Sequence, residues 1–329
     1  QKAFMGAVVI QGTKQEALPL LQPGAAMEYS LSTAIKKLAV AEKPAIGFLA
    51  GHGEPSLSEL SQLGQQLAVL YTPQEITLSD TTDIPASIKT LVVIRPTDSI
   101  PAPHLAKLDA FMCRGGSLVL AVNPVNGDLE NAYGTPVTTG LENWLQSNGI
   151  ELVPDFVIDA KCGAVQVQQQ TPFGMMQTQM AFPYLPIAGK FADHPVTKGL
   201  ESVIFQFVST VRYVGDTSST FTPLVMSSDN SGSVLAPVMF DINKRWTEND
   251  LPMSGIVLAG AVEGKAAGSR LVVIADGDFP INGQQRIQPD NVNLISNAID
   301  WLADDTGLIE LRRLCDDIAG WLRLVDEAD

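Results

Sequence analysis

Polar residues that could bind or activate a ligand stand directly after four short apolar runs of this chain. They include an imidazole, a guanidinium, an amide and three carboxylates, together with glycines that allow close approach to a ligand or another chain. These residues are Gly51, His52, Gly53, Glu54, Arg95, Asn123, Asp276 and Asp278. Because ligands bind beyond the carboxyl ends of the strands in open α/β sheets, the pattern predicts one ligand- or partner-binding edge.

The segment GHGE at residues 51–54 places an imidazole and a carboxylate two positions apart. His52 and Glu54 could act as a base and its orienting group, or simply as hydrogen-bonding groups. A tight turn in which His52 bonds to neighbouring backbone is the alternative interpretation. The segment has neither GxGxxG nor GxxxxGK followed by Ser or Thr, so it predicts no dinucleotide and no P-loop nucleotide.

Nucleophilic catalysis has little support in this sequence. At the strand-to-helix elbow after residues 91–94, where a nucleophile would stand, the chain has Arg95, Pro96 and Thr97. Cys113 falls late in a predicted helix, where we expect a buried, weakly polar residue. We therefore expect no catalytic residue.

Metal binding is equally weakly indicated. Asp276 and Asp278 flank a glycine without the spacing of a calcium loop, and an Asx-type turn is the simpler interpretation. The three cysteines and three histidines of the chain show no zinc-site spacing. We expect neither a metal nor a cofactor.

Alternation of apolar runs with single helices predicts a doubly wound α/β fold. The predicted strands lie at residues 45–50, 71–78, 91–94 and 117–122, and the predicted helices between them at 58–70 and 102–113. Strands that are apolar throughout are typical of a mostly parallel sheet covered on both faces. A strand at 270–275 and a helix at 291–302, capped by Asp290 or Asn291, most simply join the same sheet.

The chain divides into five predicted segments. They are an N-terminal β-hairpin and helix (1–42), an α/β domain (43–160), a β-rich insertion (161–265), a return to the α/β sheet (266–311) and an acidic amphipathic tail (312–329). The insertion is predicted from alternating Gln-, Thr- and Met-rich stretches, which are typical of antiparallel strands with long loops.

Composition excludes several classes of protein. With 45% apolar and 17% charged residues, the 329-residue chain is neither disordered nor a coiled coil. A net charge of −15 makes nucleic acid a poor partner. No apolar run approaches the roughly 18–20 residues that span a bilayer. The sequence begins with Gln1 and has no signal-peptide pattern, so we expect a processed form whose membrane anchors lie outside it.

Several stretches of the sequence resemble a known family. They are FMGAVV (4–9), EYSL to IKKL (28–38), IGFLAGHGE (46–54), DGDF (276–279) and NAIDWL (297–302). On these motifs, most of residues 4–311 resemble the auxiliary proteins of gliding-motility-type ABC transporters, the GldG family. The resemblance implies an extracytoplasmic accessory domain at the periplasmic face of the inner membrane, held by anchors absent from this chain. It also implies a permease and an ATPase as partners.

The resemblance further implies a flavodoxin- or glutamine-amidotransferase-like fold, shared with an intraflagellar transport protein and some sugar-binding modules. Amidotransferases of that fold carry a cysteine at the elbow, where this chain has Arg95. We therefore expect a non-enzymatic binding domain, with a small-molecule or glycan ligand possible. The alternatives are a carbohydrate-binding module, with Trp144, Trp246 and Trp301 as candidate stacking residues, and a divergent amidotransferase-like hydrolase.

Overall fold

The computed structural model describes residues 6–18, 31, 34–35, 38, 43–79, 81–171, 174–264, 266–281 and 288–303. Strands β1 (Ala7–Gln11) and β2 (Lys14–Leu18) form the antiparallel hairpin predicted near the N-terminus. The helix predicted after the hairpin, within residues 1–42, is described at residues 31, 34, 35 and 38, which are helical; Ala34 and Leu38 are buried. The predicted tail at 312–329 lies outside the described residues.

The next part of the chain alternates strands and helices as predicted. Its elements are β3 (Ala45–Ala50), α1 (Ser61–Leu67), β4 (Thr72–Thr77), β5 (Thr90–Ile94), α2 (Ala102–Cys113) and β6 (Ser117–Ala121). Strands β5 and β6 are buried at every position, because they consist almost entirely of apolar residues and lie inside the sheet.

The remainder of the chain is rich in short strands. Its elements are β7 (Val125–Asp128), β8 (Tyr133–Pro136), α3 (Leu141–Ser147), β9 (Ile150–Leu152), β10 (Asp155–Asp159), β11 (Cys162–Thr171), β12 (Gly174–Ala188), β13 (Lys190–Phe191), β14 (Val203–Ile204), β15 (Val211–Tyr213), β16 (Thr220–Met226), β17 (Ser231–Leu235), β18 (Val238–Met239), β19 (Val257–Glu263), β20 (Leu271–Ile274) and α4 (Pro289–Ala303). Short 3₁₀ turns at Pro195–Thr197 and Glu248–Asp250 connect some of them.

A mixed eight-stranded sheet forms the centre of this α/β fold. Its strand order is β13-β16-β19-β20-β6-β5-β3-β4. The five strands from β20 to β4 are parallel, whereas β19, β16 and β13 add antiparallel strands to the other end. Stretches predicted as a β-rich insertion thus contribute three strands to the central sheet.

Two clusters of buried apolar side chains stabilise the described chain. The larger cluster surrounds the central sheet, where α4 packs against α1, β5 and β6. The smaller cluster lies among the short strands and is mainly aromatic. Its buried members are Val125, Phe156, Ile158, Phe182, Tyr184, Phe240 and Leu251. Phe156 meets Phe240 edge to face with ring centroids 5.5 Å apart, a geometry that the ring quadrupoles favour.

Three local expectations differ from the structure. Cys113, expected to be buried, is exposed because it ends α2 next to the buried face formed by Leu108, Phe111 and Met112. Helix α1 is shorter than predicted, since turns flank it on both sides. Asp290 and Asn291, expected to cap the helix that follows them, lie within the first turn of α4. Their side chains bond to backbone groups of residues 201–204.

Within the described ranges, no helix combines the length and the apolar character needed to cross a membrane.

We predict that Leu120→Ala in β6 lowers the free energy of unfolding by about 2–5 kcal/mol, because a fully buried leucine leaves a cavity when truncated. Leu129, which is 44% exposed, is the matched control, and Leu129→Ala should change stability by less than about 0.5 kcal/mol. Urea unfolding followed by circular dichroism measures both. Equal losses for the two variants would contradict the assignment of β6 to the core.

Candidate functional site

The carboxyl ends of β5, β6 and β20 hold a connected group of polar side chains. The Arg95 guanidinium lies 3.0 Å from Oδ1 of Asp278, and the Asn123 amide donates to Oδ2 of the same carboxylate at 2.6 Å. Asn123 also accepts a hydrogen bond from the Gly277 N–H at 2.5 Å. The structure therefore brings together the predicted site residues Arg95, Asn123 and Asp278, each from a different loop.

Asp276 lies beneath this group and is fully buried. Its Oδ1 accepts the N–H groups of Asp278 at 2.7 Å and Phe279 at 3.2 Å, as the predicted Asx-type turn requires. Its Oδ2 accepts the Gln206 N–H at 2.6 Å, which ties the loop to a distant part of the chain. Burial, together with the neighbouring Asp278 carboxylate, raises the pKa of Asp276 to about 8, and the three N–H donors oppose the shift.

Close backbone packing holds the loops of this edge in place. A Cβ at Gly277 would lie 2.7 Å from the Ala121 carbonyl oxygen and 2.8 Å from Cα of Arg95, so only glycine fits there. Arg95 itself has a φ of 44°, in the left-handed region that non-glycine residues seldom adopt. Its Nε is buried without a hydrogen-bond partner. The strand end at Arg95 is therefore held in its conformation by the surrounding structure.

The GHGE segment forms a second polar group at the carboxyl end of β3. Glu54 turns back so that Oε2 accepts the His52 backbone N–H at 2.6 Å and Oε1 lies 3.2 Å from His52 Nδ1. The two side chains are 2% and 5% exposed, respectively, so an ionisable pair is almost removed from water. Gly51 and Gly53 supply the positive φ angles, 111° and 80°, that this tight turn needs.

A third residue, which the sequence did not point to, completes the second group. Nε2 of His52 lies 2.8 Å from Nδ1 of His104, and the two rings meet edge to face. His104 is half-buried in the first turn of α2. A single histidine in a helix carries no spacing signal, and only the tertiary structure places it against His52.

The loop after β5 joins the two polar groups. The N–H groups of Thr97 and Asp98 donate to the His52 carbonyl at 3.0 and 2.9 Å. Gly53 lies so close to the Thr97 hydroxyl that a side chain at position 53 would collide with it. The predicted site residues thus lie along one edge. The loop after β5 contributes Arg95 to one group, and its Thr97 and Asp98 backbone bonds to His52 of the other.

The edge is tightly packed around Asn123. The crevice lined by Asn123, Pro96 and Glu142 has no room for a water-sized group. In the part of the chain that is described, no group of three or more His, Cys, Asp or Glu side chains could hold a metal ion. Of the candidate stacking residues, Trp144 and Trp301 are each 6% exposed, and burial removes them from that role.

Comparison with known proteins places the chain in a family. A family model described as ABC-type uncharacterized transport system matches residues 43–304. The chain therefore belongs to this family of auxiliary proteins of ABC-type transport systems. The match begins just before β3 and ends after α4, so it includes every strand of the central sheet and both polar groups of the edge.

Individual relatives are distant. An uncharacterized protein of Borreliella burgdorferi (strain B31) is 21% identical over 328 residues, which cover 92% of this chain and 62% of the relative. The chain thus spans less than two thirds of that relative. A solved structure named mmIFT52 N-terminal domain has a TM-score of 0.55 at 12% identity, covering 80% of this chain and 98% of that one. This likeness shows a shared fold.

We predict that Gly277→Ala destabilises the protein by about 1–3 kcal/mol, because the added methyl group meets backbone atoms that cannot swing aside. Gly64 provides the control, since a Cβ there would have no neighbour within 4 Å. Gly64→Ala, inside α1, should instead stabilise the protein by about 0.5–1 kcal/mol. Chemical denaturation measures both, and a neutral Gly277→Ala would show that the edge is loosely packed.

We predict a pH-dependent contribution from Asp276. Its folded pKa of about 8 lies above the ordinary 3.8, so between these values the folded state holds a proton that the unfolded state has lost. The contribution of Asp276 to stability is therefore largest near pH 4 and falls as the pH rises towards 8.

Unfolding free energies of wild type and Asp276→Asn at pH 5 and pH 8 test this expectation. The stability advantage of wild type over Asp276→Asn should be smaller at pH 8 than at pH 5. An advantage that is the same at both pH values would mean that Asp276 is ionised throughout, with its three N–H donors outweighing burial.

Proposed function

We propose that this chain is the non-enzymatic, extracytoplasmic binding domain of a gliding-motility-type ABC transport system. In this proposal it lies at the periplasmic face of the inner membrane and associates with a permease and an ATPase. Its α/β part is a doubly wound, amidotransferase-like unit comprising residues 43–160 and 266–311, with residues 161–265 inserted. The family match supports the transport assignment. The resemblance of the segment around GHGE to the GldG family supports the gliding-motility type.

The observation that carries the proposal is the pairing of the polar side chains at the strand-end edge. Arg95, Asn123 and Asp278 bond to one another, and Glu54 bonds to His52. Arg95 and Asp278, 31% and 28% exposed, present a preformed polar surface beside the buried Glu54–His52 pair. Preformed surfaces bind partners without the entropic cost of ordering flexible groups. We therefore assign Gly51, Gly53 and the strand-end residues to partner or ligand binding.

Arg95 argues against the hydrolase alternative. It occupies the strained turn directly after β5, the kind of position at which a strand-to-helix elbow exposes a nucleophile. A guanidinium cannot attack a carbonyl group, and this one already pairs with Asp278. The turn after β5 thus positions the Arg95 guanidinium against the Asp278 carboxylate.

A pull-down of the membrane-anchored, full-length protein from detergent tests the proposal. We expect a permease and an ATPase to be recovered in a fixed ratio, as mass spectrometry would show. Recovery of the protein alone would overturn the assignment of these partners, and a glycan screen would then test the carbohydrate-binding alternative.

Two bulky substitutions test the location of the surface. Ser99 is exposed in the loop between β5 and α2, so Ser99→Trp should abolish recovery of the partners by obstructing the edge. Thr217→Trp is the control. Thr217 is exposed and lies near Gly264, which follows β19; because β19 runs antiparallel to β20, this position is at the opposite edge of the sheet. If Ser99→Trp keeps its partners, the binding surface lies elsewhere.

A further inference from the structure

The Glu54, His52 and His104 side chains form a continuous chain of hydrogen bonds from the interior to the surface. Oε2 of Glu54 accepts the His52 backbone N–H at 2.6 Å, and Oε1 lies 3.2 Å from Nδ1 of the same residue. An ionised carboxylate only accepts hydrogen bonds, so the hydrogen of a neutral His52 ring is on Nδ1. Nε2 of His52 is then left as an acceptor.

The second link fixes the state of His104. Because Nε2 of His52 accepts, the facing Nδ1 of His104, 2.8 Å away, must donate. Nε2 of His104 is therefore left with a free lone pair. Among the residues that the structure describes, none bonds to this atom. It is also absent from the buried polar atoms that lack a partner, so it is accessible to solvent. The chain of bonds thus ends in an acceptor that reaches water.

While both imidazole rings are neutral, the charge of this chain of bonds is not balanced from within. Glu54 is 2% exposed, and in the described part of the protein no lysine or arginine side chain forms an ion pair with it; its contact is the His52 ring. With both rings neutral, the three side chains carry a charge of −1. A buried carboxylate without a cation is costly, so a positive charge at the open end would lower the free energy.

We propose that Nε2 of His104 accepts a hydrogen bond from a cationic N–H donor, a lysine or arginine side chain of a partner subunit. The donor's charge offsets Glu54 through the two rings, and its N–H fills the free lone pair. The strongly acidic chain, with a net charge of −15, favours the approach of a cationic partner. The identity of the partner rests on the proposed function, whereas the state of His104 does not.

Nitrogen-15 NMR of the imidazole rings tests the state of His104. At neutral pH, His104 should show a protonated Nδ1 and a bare Nε2, the reverse of the tautomer that free histidine favours. His52→Phe should return His104 to the ordinary tautomer, because the acceptor for Nδ1 is gone. A protonated Nε2 in the wild-type protein would overturn the proposal directly.

Two peptides of equal charge test the class of ligand. Tetralysine should shift the Nε2 resonance of His104, whereas tetralysine with every amine trimethylated should not, because it keeps the charge but has no ammonium N–H. Equal shifts from both peptides would reduce the effect to charge attraction and overturn the assignment of a donor. If tetralysine also leaves the resonance unshifted, the assignment is overturned as well.

The pull-down then separates this inference from the proposed function. His104→Phe should lower partner recovery about tenfold, the loss expected for one hydrogen bond to a charged group. Ala106→Phe, at an exposed position of the same helix, is the control and should retain its partners. If Ser99→Trp loses its partners while His104→Phe keeps them, the edge binds as proposed but not through His104. If both variants keep them, the edge assignment fails.

Discussion

The parallel alignment of β20, β6, β5 and β3 is the constraint from which the features of the candidate site follow. Neighbouring strands that run in the same direction must all end at the same edge, so the loops after these four strands converge there. Residues nearly 230 positions apart, such as His52 and Asp278, consequently belong to one short stretch of surface. Because β5 and β6 are buried at every position, that edge is the part of these strands where polar side chains can reach water.

The carboxylates of the two polar groups at this edge are stabilised by different partners. The Asp278 carboxylate is matched locally, since a guanidinium and an amide bond to its two oxygens while it remains about one quarter exposed. Asp276, fully buried below it, is held by three backbone N–H groups instead. Among the described residues, Glu54 bonds to the backbone N–H and the imidazole of His52 and pairs with no lysine or arginine. The same sheet edge thus combines a part in which charges pair internally with a part whose charge, in our proposal, a partner side chain offsets.

The bonds at this edge also connect the α/β part to the strand-rich part of the chain. Asp276 holds the Gln206 backbone, while Asn291 at the start of α4 bonds to both backbone groups of Ile204 and to the Phe279 carbonyl. Three strands of the predicted insertion extend the central sheet itself. A partner bound at the edge would therefore contact a surface whose support comes from both parts of the family-matched region.

The sequence by itself determined the regular elements of the α/β part and the positions of its polar loops. Strand β3 and helix α2 have the predicted bounds, because an uninterrupted apolar run and a helical period are local patterns. Arg95, Asn123 and Asp278 could be expected to meet, since strand direction fixes where their loops lie. Only the tertiary structure decided that His104 completes the Glu54–His52 chain of bonds, that Gly277 packs against Arg95, and that Asp290 and Asn291 hold residues 201–204. These contacts join segments far apart in sequence, and their energy depends on distances that no local pattern encodes.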